Sequence, residues 1–457
     1  MILQSVFDPF VKQRPVCVVA RGVLERMMDP ARIDALFEAT AEVGYTRTLQ
    51  FSTLVQLMAD VVLGVHPAVN AAFQFLKEAG EIPVSLTAVY SKLDRVEPAV
   101  SAALVRDSAE VAGPVIDAMK ATFDPWLSGY RCRIIDGNHF SATEHRIEEL
   151  RTTWAAPLPG KILVVLDQER MLAETVFPTE DGHAQERSLF DAVLPSVKLQ
   201  DLWIADRNFC TLAFLFGIRR RGGFFVIRQH GAVKGTLVGR KRKSGRCATG
   251  VVYEQTIRLT DPETDEDVDF RRITIELDKP TRDGDYELHL ISNVPEKDAD
   301  AIVLANLYRK RWTLETVFQE ITQTLQCEIA TLGYPKAALF AFCLALLAFN
   351  AVSVLKASLR AVHGEEAVQT KVSGYYLSLE IRGTYDGMMI AVPDEHWTVF
   401  RTLSVKKFAA LLKQIAGHVN LSRYKKHSRG PKKPPPKKTT YKNGGHVSTY
   451  RLLQQRK

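Results

Sequence analysis

Apolar positions in the first 125 residues recur at helical spacing. Apolar runs at 51–63 and 71–76 flank a turn at 64–67, and Ser85 precedes a third run as a helix N-cap. The last of these short helices carries Lys92 and Arg95. We therefore predict a helical domain over 1–125, which is either a helix-turn-helix that binds DNA ends or an ordinary helical bundle.

From residue 131 the pattern changes to short apolar runs that are typical of buried strands. RCRIID and KILVVLD come first, and LWIAD and FFVIRQ follow with a helical segment between them. Strands that alternate with helices predict an α/β fold whose mixed sheet is flanked by helices. We place the first part of this α/β core at 126–230.

Residues 231–300 alternate between short strands and turns, which predicts a β-rich insertion into the α/β core. The core is expected to continue over 301–356, followed by a helical region at 357–422 and a basic tail rich in Pro and Lys at 423–457. A basic cluster at the start of the insertion is either a solvated loop or a phosphate contact. Its members are Arg240, Lys241, Arg242 and Lys243.

One long amphipathic helix is expected at 299–329. The polar residues that fall on one face of it, at about 100° per residue, are Tyr308, Arg311, Glu315 and Thr322. An Arg and a Glu four residues apart usually form a solvated surface pair. A carboxylate beside a guanidinium and a phenol can also bind a cation while the other two groups hold phosphate oxygens.

Positive charge is concentrated at the end of the chain. The net charge is +8, yet residues 423–457 hold twelve Lys or Arg and no acidic residue, so the remainder is mildly acidic. A basic tail on an acidic body predicts a polyanionic partner. Nucleic acid is favoured over a membrane surface, because no apolar face accompanies these charges.

The six cysteines form no C-x-x-C pair, which favours free thiols in a reducing cytoplasm. No signal peptide is expected at the N-terminus. The apolar stretch 337–355 approaches the length of a membrane span, but Asn350 and Ser353 interrupt it. We predict a buried core helix there and keep a membrane-spanning helix as the alternative.

Three acidic residues stand where carboxylates can converge. Asp136 and Asp206 end the apolar runs RCRIID and LWIAD, and Glu315 lies on the later helix. Carboxylates on buried strands are costly unless they are paired or bound to a metal ion. Because α/β sheets place their sites at the carboxyl ends of strands, we expect the three to meet there. The alternative is a pair of acids that cap strand ends.

The order Asp136, Asp206, Glu315, with Y-x-x-R-x-x-x-E from Tyr308 to Glu315, resembles the DDE transposases of bacterial insertion sequences. IDGNHF and IADRNF are similar to the first two acidic motifs of insertion-sequence family four, the YREK group, and LYRKRWTLETVFQEIT is similar to the third. The resemblance covers roughly residues 40–350.

This resemblance implies an RNase H-like core in which Asp136, Asp206 and Glu315 hold two divalent ions, Mg²⁺ or Mn²⁺. It also implies cut-and-paste transposition, a dimer on double-stranded DNA that carries the element's terminal inverted repeats, and a bacterial cytoplasmic protein at the nucleoid. The residues that we expect to contact DNA are Tyr308, Lys310 and Arg311, the cluster Arg240, Lys241, Arg242 and Lys243, and Lys92 and Arg95.

One position departs from the group's signature. The YREK group has a Lys seven residues after the Glu, where this chain has Thr322. Thr cannot supply that positive charge, and Lys310 and Arg309 are the alternative sources of it. The departure keeps a second hypothesis open, namely a catalytically inactive DNA-binding protein derived from a transposase.

Overall fold

The structure is a computed structural model that describes residues 3–44, 48–140, 142–281, 284–426 and 445–455, apart from the side chains of His139 and Gln323. Its centre is a large mixed sheet flanked by helices, so the predicted α/β class is confirmed. Most of the predicted basic tail, residues 427–444 and 456–457, lies outside the described residues.

Helices occupy the N-terminal part: α1 (Asp8–Gln13), α2 (Pro15–Met27), α3 (Pro30–Thr40), α4 (Phe51–Val62), α5 (Val69–Glu78), α6 (Leu86–Leu93) and α7 (Pro98–Met119). The strands that follow are β1 (Arg131–His139), β2 (Ala156–Leu158), β3 (Lys161–Asp167), β4 (Leu172–Thr179), β5 (Asp201–Ala205), β6 (Phe224–Arg228), β7 (Thr236–Cys247), β8 (Gly250–Thr260), β9 (Asp267–Leu277) and β10 (Glu287–Ser292).

Helices α8 (Phe190–Val193) and α9 (Leu212–Arg220) lie between these strands. The later elements are α10 (Ala301–Arg309), α11 (Trp312–Thr324), α12 (Pro335–His363), α13 (Glu365–Lys371), α14 (Gly374–Ala391), α15 (Asp394–Thr402), α16 (Val405–Ala416), β11 (His446–Ser448) and α17 (Thr449–Gln454).

The described residues form a nine-stranded sheet in the order β4-β3-β1-β5-β6-β10-β9-β8-β7. Strands β1, β5 and β6 pair in parallel, and the other neighbours pair antiparallel. Every residue of β3 and β5 is buried, because helices and loops cover both faces of the sheet at its centre.

Residues 231–300 are rich in strands, and these strands extend the central sheet. β10 pairs antiparallel with β6, and β9, β8 and β7 follow in turn. The basic cluster at 240–243 lies within β7, the edge strand, so its interpretation as a solvated loop is wrong. β7 is polar and mostly exposed, and its pairing with β8 explains why a strand replaces the loop.

Helix α12 lies at the centre of the helical part. It packs against α2, α4, α7 and α16, so the N-terminal and C-terminal helices share one hydrophobic core. Within the described residues it is the one helix long and apolar enough to cross a membrane, and 94% of its most apolar window is buried. Asn350 ties it to the sheet, because its side chain binds both the N–H and the carbonyl of Ala173.

The expected single helix at 299–329 is two helices, and this prediction is wrong. α10 ends at Arg309 and α11 begins at Trp312. Between them, the N–H groups of Lys310 and Arg311 donate to carbonyls three residues back, at 2.9 and 3.0 Å. These bonds interrupt the regular pattern of bonds four residues back, so residues 308 and 315 belong to two helices and not to one.

Part of the predicted basic tail, residues 445–455, is folded. β11 pairs in parallel with β2, and α17 follows it directly. Arg451 on α17 lies 2.8 Å from Asp181, which follows β4. Residues 445–455 therefore pack on the α/β part of the molecule.

Candidate active site

Asp136 and Asp206 lie side by side at the carboxyl ends of two parallel strands. Ile134 of β1 is in register with Ile204 of β5, so the two aspartates stand at the same level two residues further on. Asp206 follows the last residue of β5 and caps a short 3-10 helix, where its Oδ1 accepts from the Asn208 N–H at 2.8 Å.

Asp136 is not the last residue of its strand. β1 continues to His139, because it keeps pairing with β3 after its parallel partner β5 has ended. The Oδ1 of Asp136 accepts from the Gly137 N–H at 2.9 Å, and its side chain is 14% exposed. The carboxylate therefore projects from a rigid part of the sheet.

Arg311 bridges the sheet to the helix that carries Glu315. Its Nη1 lies 2.6 Å from Asp136 Oδ2, and its Nη2 lies 2.8 Å from Glu315 Oε1. Arg311 is largely buried, whereas the Glu315 side chain is 47% exposed. The turn between α10 and α11 places this guanidinium between two carboxylates, so in this structure it contacts acids.

Burial is the main cause that raises the pKa of Asp136, to about 7, and the nearby charges of Asp206 and Glu186 add to the rise against the opposing effect of Arg311. The pKa of Asp206 is also raised, again chiefly by burial. Two carboxylates in one poorly solvated place disfavour each other's ionised form. The pair would therefore gain from an additional cation.

Tyr308 is buried behind this group. It is 9% exposed, and burial raises the pKa of its phenol to about 12. Its neighbour Lys310 is exposed, and its ammonium lies 4.9 Å from the centre of the Trp126 ring. The phosphate contacts predicted for Tyr308 and Lys310 stay predictions. The Lys310 side chain contacts Trp126, whereas the Arg311 side chain contacts Asp136.

A fourth carboxylate, Glu186, lies close to the two aspartates, and the sequence analysis missed it. It begins a short 3-10 helix, Glu186–Leu189, between β4 and β5. Its charge adds to the raised pKa of both Asp136 and Asp206, after the larger effect of burial. No local motif marks it, since ERSLF reads as an ordinary helix start.

The donor set consists of carboxylate oxygens, which suit hard ions such as Mg²⁺ and Mn²⁺. Within the part of the chain that the structure describes, no group of three or more His, Cys, Asp or Glu side chains could hold a metal ion as placed. Arg311 separates Asp136 from Glu315. The residues fit a divalent ion chemically, on condition that this guanidinium withdraws.

The other predicted DNA contacts are distant in the fold. Lys92 hydrogen-bonds the Leu49 carbonyl and lies over the Phe37 ring, and Arg95 is exposed just after α6. Lys241 of β7 pairs with Glu276 at 2.9 Å and covers the ring of Tyr253 at 4.3 Å. Arg240, Arg242 and Lys243 are exposed on the same edge strand.

The segment that carries this site is similar to a known protein family. Residues 127–351 match the family model described as "Transposase DDE domain". No curated protein matches the chain. Among solved structures, a cryo-EM structure of the piggyBac transposase synaptic complex with hairpin DNA is similar at a TM-score of 0.36 and 9% identity, over 88% of this chain and 80% of that chain. The segment that carries Asp136, Asp206 and Glu315 is thus similar to the transposase DDE domain.

Proposed function

We propose that the chain is a transposase that cuts insertion-sequence DNA at its ends and joins it to target DNA. In finer detail, we assign it to insertion-sequence family four of bacteria, with an RNase H-like core and cut-and-paste transposition. The match of residues 127–351 to the transposase DDE domain supports the general activity. The finer assignment rests on the motifs around Asp136, Asp206 and Glu315.

One observation carries the proposal. Asp136 and Asp206 stand at the same level on neighbouring parallel strands, and Arg311 links Asp136 to Glu315. The three acidic residues are far apart in the sequence, yet Asp136 is level with Asp206 and shares one guanidinium with Glu315. Acid capping of two strand ends does not require a third acid on a separate helix.

The roles of the residues follow from their chemistry. Asp136, Asp206 and Glu315 would hold two divalent ions, which supply charge that activates the attacking oxygen and stabilises the leaving one. Arg311 would transfer its hydrogen bonds from the carboxylates to a phosphate of the cleaved strand, since it is a planar, bidentate donor. Buried Tyr308 would orient Arg311 from behind.

In the proposed reaction, water attacks the phosphorus at the element end and the bond to the 3′ oxygen breaks, which leaves a 3′-hydroxyl. That hydroxyl then attacks a phosphorus of target DNA, and the target's own 3′ oxygen leaves. Two element ends must be held together for this sequence, so we propose a dimer on double-stranded DNA at the bacterial nucleoid.

The test is strand cleavage of DNA that carries the element's own flanking sequence, in Mg²⁺ and in Mn²⁺. Asp136→Asn, Asp206→Asn and Glu315→Gln should each abolish cleavage while DNA binding remains. Asp191→Asn, an exposed aspartate on α8, is the matched control and should cleave like the wild type. Full cleavage by all three site variants would overturn the proposal.

The second candidate is a DNA-binding protein without catalysis. Thr322 favours it, because its hydroxyl donates to the Phe318 carbonyl in its own helix and supplies no charge. This candidate predicts that the wild-type chain binds a terminal repeat but leaves it uncut even in Mn²⁺. Replacing Thr322 by Lys would then restore cleavage only if the missing cation is the sole defect.

A further inference from the structure

Glu186 approaches the backbone of β1 directly beside Asp136. A Cβ atom on Gly137 would lie 2.5 Å from Glu186 Oε1, which is the end of a flexible side chain. Glycine at 137 thus leaves room for this carboxylate in its present position. The close approach places Glu186 beside β1, one residue along the strand from Asp136.

The Glu186 side chain is buried, and among the described residues only one of its two carboxylate oxygens has a partner. It is 10% exposed, and its Oε1 lies 3.2 Å from the ammonium of Lys161, which is itself buried and also donates to the Ala184 carbonyl. Its Oε2 is buried, and among the described residues it has no hydrogen-bond partner. A buried carboxylate oxygen without a donor is costly unless a cation or a water satisfies it.

The position of Glu186 concentrates negative charge. Lys161 offsets only one negative charge, and it contacts Glu186 on the side of Oε1. Carboxylates that lie near one another in a poorly solvated place gain from a cation that joins them.

We propose that Glu186 is a fourth carboxylate of the divalent-metal site, with Oε2 facing the ion and Lys161 holding Oε1. This assignment rests on the proposed function, because it presumes that the aspartates bind a metal ion. It extends the site beyond Asp136, Asp206 and Glu315. Lys161 acts as a positioning residue that holds Glu186 in place.

Mn²⁺ binding to the full chain without DNA tests the proposal, measured by calorimetry or by the loss of the free-ion electron paramagnetic resonance signal. Glu186→Gln keeps the shape of the side chain and should weaken Mn²⁺ binding about tenfold, the loss typical for a residue that supports a metal site. The matched control Glu148→Gln, an exposed glutamate, should leave the affinity unchanged.

The stability of the variants separates a metal role of Glu186 from a purely structural one. Glu186→Gln leaves buried Lys161 without its partner, so the Tm of this variant should fall with or without metal. The double variant Lys161→Met/Glu186→Gln removes both charges and should recover Tm while Mn²⁺ binding stays weak. Wild-type Mn²⁺ affinity in either Glu186 variant would overturn the assignment.

The same titration separates this inference from the proposed function. Asp206→Asn should weaken Mn²⁺ binding at least as much as Glu186→Gln. Loss of affinity in Asp206→Asn with none in Glu186→Gln would overturn the role of Glu186 alone. A wild-type chain that binds no Mn²⁺ would overturn both.

Discussion

Arg311 Nη1 lies 2.6 Å from Asp136 Oδ2, so a guanidinium occupies the place next to the carboxylate where a metal ion is proposed to bind. The pair is largely buried, with side chains 12% and 14% exposed. Under that proposal, Arg311 and a divalent ion compete for the same oxygens. The arginine would then serve as an internal counterion until DNA and metal bind.

Arg311→Gln should raise Mn²⁺ affinity and lower DNA cleavage. Removing the competing charge leaves Asp136 free for the ion, and we expect about a tenfold gain in affinity, which corresponds to about 1.4 kcal/mol. Cleavage should fall because the phosphate loses its bidentate donor. Calorimetry with Mn²⁺ and a strand-cleavage assay measure the two effects.

Arg258→Gln is the matched control for this prediction. Arg258 also pairs with an aspartate, Asp269, at 2.7 Å, but on exposed strands away from the site. Neither metal affinity nor cleavage should change in it. Weaker Mn²⁺ binding in Arg311→Gln would show that the arginine supports the metal site and does not compete with it.

Asn350→Ala should destabilise the protein by about 1–3 kcal/mol, because it leaves buried backbone groups of Ala173 without partners. Asn350 is fully buried, and its side chain also donates to Ser108 Oγ at 2.8 Å. Urea denaturation gives the free energy of unfolding. Ser358→Ala on the same helix loses a bond only to its own helix and should cost less.

We expect the free energy of unfolding to depend on pH through Asp60. Its buried carboxyl has a pKa raised to about 7, chiefly by burial and further by Asp386 and Glu81, against the opposing effects of Arg21 and Gln56. The unfolded carboxyl has a pKa of about 3.9. The folded state therefore binds the proton more tightly, and this group's contribution is lost as pH rises from about 4 through 7.

Asp60→Asn imitates the protonated form and should stabilise the protein relative to wild type. The gain should be larger at pH 8 than at pH 5, by on the order of 1–3 kcal/mol. Urea denaturation at both pH values measures it. Glu78→Gln, an exposed acid on α5, should show no such widening. A constant gain at both pH values would contradict the raised pKa of Asp60.

The basic tail predicts salt-sensitive, sequence-independent DNA binding. Deletion after Ser422 would also remove β11, α17 and buried Tyr424, so substitution is the cleaner change. Replacing Lys432, Lys433, Lys437 and Lys438 by Gln should lower the slope of log Kd against log salt. The slope changes by about 0.9 for each contacted phosphate, so the loss is at most about 3.6.

Lys406 and Lys407 supply the control for the tail. Both are exposed on α16, and replacing them by Gln should leave the salt slope near that of the wild type. An unchanged slope in the tail variant would mean that these lysines contact no phosphate. The folded segment 445–455 stays intact in both variants.

The two carboxylates on strands could be predicted, because buried strands are recognisable as apolar runs in the sequence. RCRIID and LWIAD are apolar runs, and an acid that ends such a run stands out in the sequence. Parallel pairing of the two strands then follows from the α/β pattern. The register that puts Asp136 level with Asp206 depends on long-range pairing, which no local pattern encodes.

The break between α10 and α11 was missed, because the apolar spacing continues through Lys310 and Arg311 without a Gly or Pro. The turn differs from a continuous helix in the bonds that Lys310 and Arg311 donate three residues back, and it coincides with the ion pair of Arg311 with Asp136. Glu186 was missed for a similar reason, since its neighbours Gly137 and Lys161 come from other strands.

The two-residue turn at Lys310 and Arg311 has a mechanical consequence. α10 is packed on the sheet through buried Leu304 and Tyr308, whereas the Glu315 side chain on α11 is half exposed. α11 is anchored as well, because Leu314, one residue before Glu315, is fully buried in the core that includes α12. The turn therefore joins two anchored helices and holds Arg311 where its guanidinium reaches both Asp136 and Glu315. A change of the Arg311 side chain, with both helices in place, is the smallest movement that frees Asp136.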